Sequence, residues 1–176
     1  MPPPRTSSLL PGQSFNAISR LLREGLADED SRQMRDSLGA LSQQIEAAVG
    51  ARRTHKDPAA IVPEVQALVR GAREHQLFLT GLGSAWHALY EFGAYQRALR
   101  ELRDALDAWL RALEQRSGRE GRLFGQFEQL AWRTLGEALL LLDMYEQDGT
   151  QPSEWPRSEP QARPAFLVRL RRWLGH

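Results

Sequence analysis

Apolar residues recur along the chain at intervals of three and four, the spacing of helices that bury one face. Behind Ser14, a suitable N-cap, Phe15, Ile18, Leu22 and Leu26 predict a short first helix. A second is expected to begin near Asp30 or Ser31. Its seam is Met34, Leu38, Leu41, Ile45 and Val49, narrow and flanked by Ser, Gln, Arg and Asp, as suits a helix packed on one partner. Gly50 and the basic stretch Arg52, Arg53 and Lys56 then mark its end.

Asp57 followed by Pro58 reads as a cap and a first-turn proline, with Pro63 as the alternative first turn. Beyond them, Val65, Leu68, Ala72, His75, Leu79, Leu82, Trp86 and Leu89 form one series. Phe92, Tyr95, Leu99, Leu102, Leu106, Trp109 and Leu113 form another, offset by a three-residue insertion of the kind that shifts a coiled-coil seam. Taken as continuous, the two series predict one central helix over residues 63–115, roughly 80 Å long at about 1.5 Å per residue. Such a rod would overhang its neighbours and leave apolar surface for other chains. Gly71, Gly81, Gly83 and Gly93 lie inside it; the reading adopted is close helix packing, with a kink at Gly81 to Gly83 as the alternative.

Ser117, Gly118 and Gly121 predict a turn, followed by a last long helix from about Leu123 to Gln147. Its face is Phe124, Phe127, Ala131, Leu135, Ala138, Leu142 and Tyr145, and the short turn implies an antiparallel hairpin. The fold class expected is therefore all-α, an elongated helical hairpin or bundle with one very long central helix and coiled-coil-like packing. Residues 1–13 read as a disordered lead-in rich in proline, residues 14–148 as the helical domain, residues 149–163 as a linker, and residues 164–176 as an amphipathic C-terminal helix.

Composition narrows the chemistry. The 176 residues include no cysteine, which removes disulfides, thiolate metal sites and cysteine nucleophiles, and makes the cytosol the expected compartment. Met1 to Pro11 lacks the apolar core of a signal peptide, and no run of apolar residues is long enough to span a bilayer. A net charge of +1 gives no global field toward nucleic acid, so no nucleic-acid partner is expected. Among the histidines, only His87 with Glu91 has the four-residue spacing of two ligands on one helical face, and no metal or other cofactor is expected. His75 falls on the seam, where a histidine satisfied by a neighbouring helix is the simplest reading. No nucleophile elbow, phosphate-cradling loop or dinucleotide fingerprint occurs, so the chain is not expected to be an enzyme.

Two features point outward instead. Phe166, Leu167, Leu170 and Trp173 lie opposite Arg169 and Arg172, a pattern that suits a lipid or polymer surface as well as a closing helix. Trp86, Tyr90, Phe92, Tyr95 and Trp109 are the residue types that anchor interfaces, with core packing as the alternative.

Residues 71–146 also carry a likeness to a known family. Arg73, Glu74, His75 and Gln76 open a long helix, with Trp86, Tyr90 and Tyr95 further along and the leucine seam running through Leu106 and Leu113. After the turn come Leu130, Ala131, Trp132, Gly136, Glu137 and Ala138. In order and spacing this resembles the non-catalytic accessory subunit of the class III polyhydroxyalkanoate synthases, although Leu139 departs from the family's continuation. The resemblance implies a subunit that binds and activates or positions a polyhydroxyalkanoate synthase catalytic subunit; with the aromatic residue types, it makes Arg73, Glu74, His75, Trp86, Tyr90, Phe92, Tyr95, Trp109 and Trp132 the candidate contacts. A granule- or membrane-associated structural protein, a helical adaptor in an unrelated assembly, and a homo-oligomer are the other readings.

Overall fold

A computed structural model describes residues 29–148. The expected short helix after Ser14, the lead-in, the linker and the C-terminal amphipathic segment with Phe166, Leu167, Arg169, Leu170, Arg172 and Trp173 lie outside the described residues. Five helices occur among those described, and no strand: α1 (Glu29–Thr54), α2 (Pro58–Thr80), α3 (Ser84–His87), α4 (Tyr90–Gln115) and α5 (Glu120–Asp148).

The seam read for α1 is the seam that packs, since Met34, Leu38, Leu41, Ile45 and Val49 are all buried. Gly50 does not end the helix; one further turn follows, closed by the Thr54 hydroxyl donating to the Gly50 carbonyl at 2.9 Å. Asp57 then caps α2, its carboxylate accepting from the Ala59 N–H at 3.1 Å, with Pro58 in the first turn. Pro63 is thus inside the helix rather than its start.

The single rod expected over residues 63–115 is broken. At the end of α2 the Thr80 hydroxyl donates to the Leu77 carbonyl, and the Gly81 N–H turns back to Phe78 O at 3.0 Å. Gly81 and Gly83 supply little helix propensity there, α3 makes a single turn, and Leu89 takes an extended conformation ahead of α4. The phase slip between Leu89 and Phe92 therefore marks a reversal of the chain, not a stammer in a continuous seam. Within the chain, the two halves of the presumed rod run antiparallel, linked by His75 to Tyr95, Gln66 to Glu114 and Arg103 to Gln76. Their apolar stripes, expected to be shared with other molecules, face this chain's own core.

Three further links close the arrangement. Ser37 of α1 meets His75 of α2, Glu101 of α4 pairs with Arg133 of α5 at 2.7 Å, and Arg53 of α1 pairs with Glu128 of α5 at 2.8 Å. Each long helix thus runs antiparallel to two neighbours, in the cyclic order α1, α2, α4, α5, an up-and-down four-helix bundle. The turn from α4 to α5 uses Arg116 at φ 49° and Gly118 at φ 74°, the latter a conformation that glycine takes without strain. Glu120 accepts the Gly118 N–H and opens α5 one turn before the position expected at Leu123.

Of the glycines read as close-packing sites, only Gly71 behaves so: a Cβ there would collide with Gln44 Oε1 of α1. That oxygen is itself buried without a hydrogen-bond partner. Gly71→Ala alone is therefore expected to change stability little, the gain in propensity being offset by displacement of Gln44. In a Gln44→Ala background the same change should stabilise by about 1 kcal/mol, measured by urea unfolding. Equal effects in both backgrounds would exclude the clash.

Candidate functional site

Three polar side chains form one hydrogen-bonded chain across three helices of the bundle. Ser37 Oγ of α1 lies 2.6 Å from Nδ1 of His75 on α2, and Nε2 of the same ring lies 2.6 Å from the Tyr95 hydroxyl of α4. His75 is 3% exposed and Tyr95 fully buried. Phe78 stacks beside the imidazole at 6.0 Å and Tyr95 meets it edge-on at 5.8 Å.

Burial lowers the His75 pKa to about 4 and pushes the Tyr95 phenol well above its ordinary value. Both are neutral at physiological pH. A neutral imidazole donates through one nitrogen and accepts through the other, and hydroxyls can serve either role, so both ring nitrogens are satisfied.

Ser37 against His75 has the spacing of a nucleophile and its base. Chemically the pair is poorly equipped: a phenol stands where a carboxylate would steady an imidazolium, and burial opposes protonation of the ring. The surrounding backbone N–H groups belong to helix interiors and offer no donors to a developing oxyanion. What the arrangement does well is join α1, α2 and α4 at one level. The histidine was legible as a seam residue; its serine partner lies on a face that reads as polar, and only the packed structure reveals it.

The residues expected to contact a partner separate into three groups. Trp86, Phe92, Tyr95 and Trp109 are buried, taking the core-packing alternative rather than standing as surface anchors, and His75, read as a seam histidine satisfied by a neighbouring helix, is buried with partners on two. Trp86, carried by α3, stacks on Tyr145 at 3.6 Å with planes 1° apart, tying the turn to the end of α5. Trp109 packs against Phe127 at 5.1 Å and Phe124 at 5.2 Å. The indole N–H groups of Trp86 and Trp109 have no hydrogen-bond partner, so their contribution rests on packing. Trp132 is half-buried on α5.

Arg73, Glu74 and Tyr90 are exposed. Arg73 approaches Asp107 at 4.0 Å, the arginine mostly in solvent and the aspartate partly so, a weak ion pair. Tyr90 is 64% exposed, and Leu77, one turn beyond Arg73 and unremarked in the sequence, is 71% exposed. These two are the exposed large apolar side chains of the described residues, and both belong to the α2–α4 reversal.

His87 is exposed with its ring edge-on to Phe92 at 4.6 Å, and no group of three potential ligand residues gathers around it or elsewhere among the described residues. No described helix is long and apolar enough to cross a membrane. Comparison with models of known families gives no match, and neither characterised proteins nor solved structures yield a similar chain.

Proposed function

We propose that the protein is a non-catalytic helical accessory subunit that binds a polyhydroxyalkanoate synthase catalytic subunit and activates or positions it. The observation that carries the reading is the apolar and charged surface at the α2–α4 reversal. Leu77 and Tyr90 are exposed there, and Arg73 and Glu74 are exposed about one turn before Leu77 on α2, all within the stretch whose residue order resembles the accessory family. The buried tryptophans and the His75 chain build the bundle that holds this surface in place. The partner named is the one the resemblance implies.

The purified chain is expected to co-elute with a class III catalytic subunit and to raise its rate. Leu77→Asp should weaken that association by about thirtyfold, the scale of a central interface residue, with circular dichroism unchanged. Absence of both co-elution and rate change would remove this reading. A second reading, a structural protein of granule or membrane surfaces, draws on the sequence pattern of Phe166, Leu167, Leu170 and Trp173 against Arg169 and Arg172. It requires that deleting residues 164–176 abolish binding to granules or liposomes.

A further inference from the structure

The fold gathers positive charge that is scattered in the sequence. Residues 52–57 and 116–122 form the two turns at one pole of the bundle, and an Arg116 to Asp57 contact at 3.4 Å places them side by side. Together they hold six of the fifteen lysines and arginines of residues 29–148 but only two of the eighteen acids. Arg53 and Arg116 are ion-paired. Arg52 has no carboxylate partner and lies with its guanidinium 5.7 Å from the centre of the Phe124 ring, while Lys56, Arg119 and Arg122 extend into solvent without an ion pair. Of the two acids, Asp57 is held by its cap and Arg116, and Glu120 by the Gly118 N–H.

We infer that this pole is a docking surface for an acidic segment of a protein partner, gripped by Arg52, Lys56, Arg119 and Arg122. The kind of partner follows from what surrounds the charge. Away from this pole the described helices carry nine cations against sixteen acids, so a long polyanion running on along the bundle would meet a surplus of like charge. The exposed large apolar residues, Leu77 and Tyr90, belong to the α2–α4 reversal, leaving these turns none to insert into a bilayer or stack on bases. Five of the six cations are arginines, whose planar forks match carboxylates in pairs. A compact carboxylate cluster fits each of these conditions. The inference stands on charge and geometry, independent of the synthase reading.

The test compares two variants of the full chain with identical net charge. One carries Lys56→Glu, Arg119→Glu and Arg122→Glu; the other carries Arg70→Glu, Arg97→Glu and Arg100→Glu, on exposed flanks of α2 and α4. The probe is a fluorescein-labelled peptide of about twelve Glu and Asp residues, read by anisotropy beside phosphatidylserine vesicles and a duplex RNA. Wild-type binding of the peptide should weaken as salt rises, the pole variant should lose about tenfold or more, and the flank variant about twofold or less. Equal losses in the two variants would show net charge alone at work and overturn the site. Tighter binding of vesicles or RNA than of the peptide, lost in the pole variant, would overturn the choice of partner. If the triple reversal alters the circular dichroism, the alanine versions of the same three residues serve instead, with the same order of losses expected.

Discussion

Replacing Trp109 with alanine is expected to lower the unfolding free energy by about 3 to 5 kcal/mol, the range for emptying a fully packed large aromatic site. The ring is completely buried between α4 and α5, against Phe127 and Phe124, and its unpartnered indole N–H leaves no hydrogen bond to complicate the comparison. Since a domain of this size is stabilised by only about 5 to 15 kcal/mol, urea unfolding of the variant should begin close to zero denaturant. Trp132→Ala, at a half-buried site on α5, should cost about 1 to 2 kcal/mol. Similar midpoints for the two variants would mean that Trp109 does not occupy the core.

The second large effect is a loss of stability in acid. The His75 pKa, about 4 in the folded chain, lies below the ordinary value of 6.5, so the unfolded chain binds the proton more readily. Above pH 6.5 the ring is neutral in both states and contributes no pH dependence. As pH falls from 6.5 toward 4 the unfolded state is favoured by about 1.4 kcal/mol per unit, reaching roughly 3 kcal/mol, and below 4 the effect is complete. Carboxylates titrate in part of the same window, so the measurement is a difference. Between pH 7 and pH 4.5, wild type should lose about 2 to 3 kcal/mol more than His75→Gln, which carries no titrating ring. If His75→Gln folds too weakly to measure, titration of the imidazole resonances in wild type serves as well. A midpoint near 6.5 would show the ring to be solvated.

Much of this fold could be read from spacing, because an amphipathic helix announces its own buried face. The seam of α1, the Asp57–Pro58 start of α2 and the stripe of α5 each depend on residues close together in the chain. The reversal at Gly81 to Leu89 was harder: residues repeating by three and four look alike whether a helix continues or folds back on itself. The glycines and the slipped phase at Phe92 were the only local signs, and both also fit a continuous rod. Trp86 is buried as its seam position implies, but its place on a single turn between two helices is hidden for the same reason.

Of the candidate site, His75 and Tyr95 were visible as seam residues, but nothing local joins them to Ser37, 38 positions before the histidine. The basic turns illustrate the limit further. Arg52, Arg53 and Lys56 read as a helix stop, and Arg116, Arg119 and Arg122 fall some sixty residues later; only antiparallel packing makes them neighbours. Conversely, the expected surplus of apolar surface vanished once the two seams were seen to face each other.

The hydrogen bond from Ser31 to Glu146, 2.7 Å long, and the fork of Arg35 on the same carboxylate fasten the first turn of α1 to the last turns of α5. The polypeptide therefore enters and leaves the bundle side by side, so the whole body can hang from a single point. Transplanted as residues 29–148 into a surface loop of a host protein, it should fold without prising that loop apart. A support holding the first turn of α1 or the last of α5 would leave the arginine-bearing turns outermost, some forty ångströms away along helices of about 26 residues.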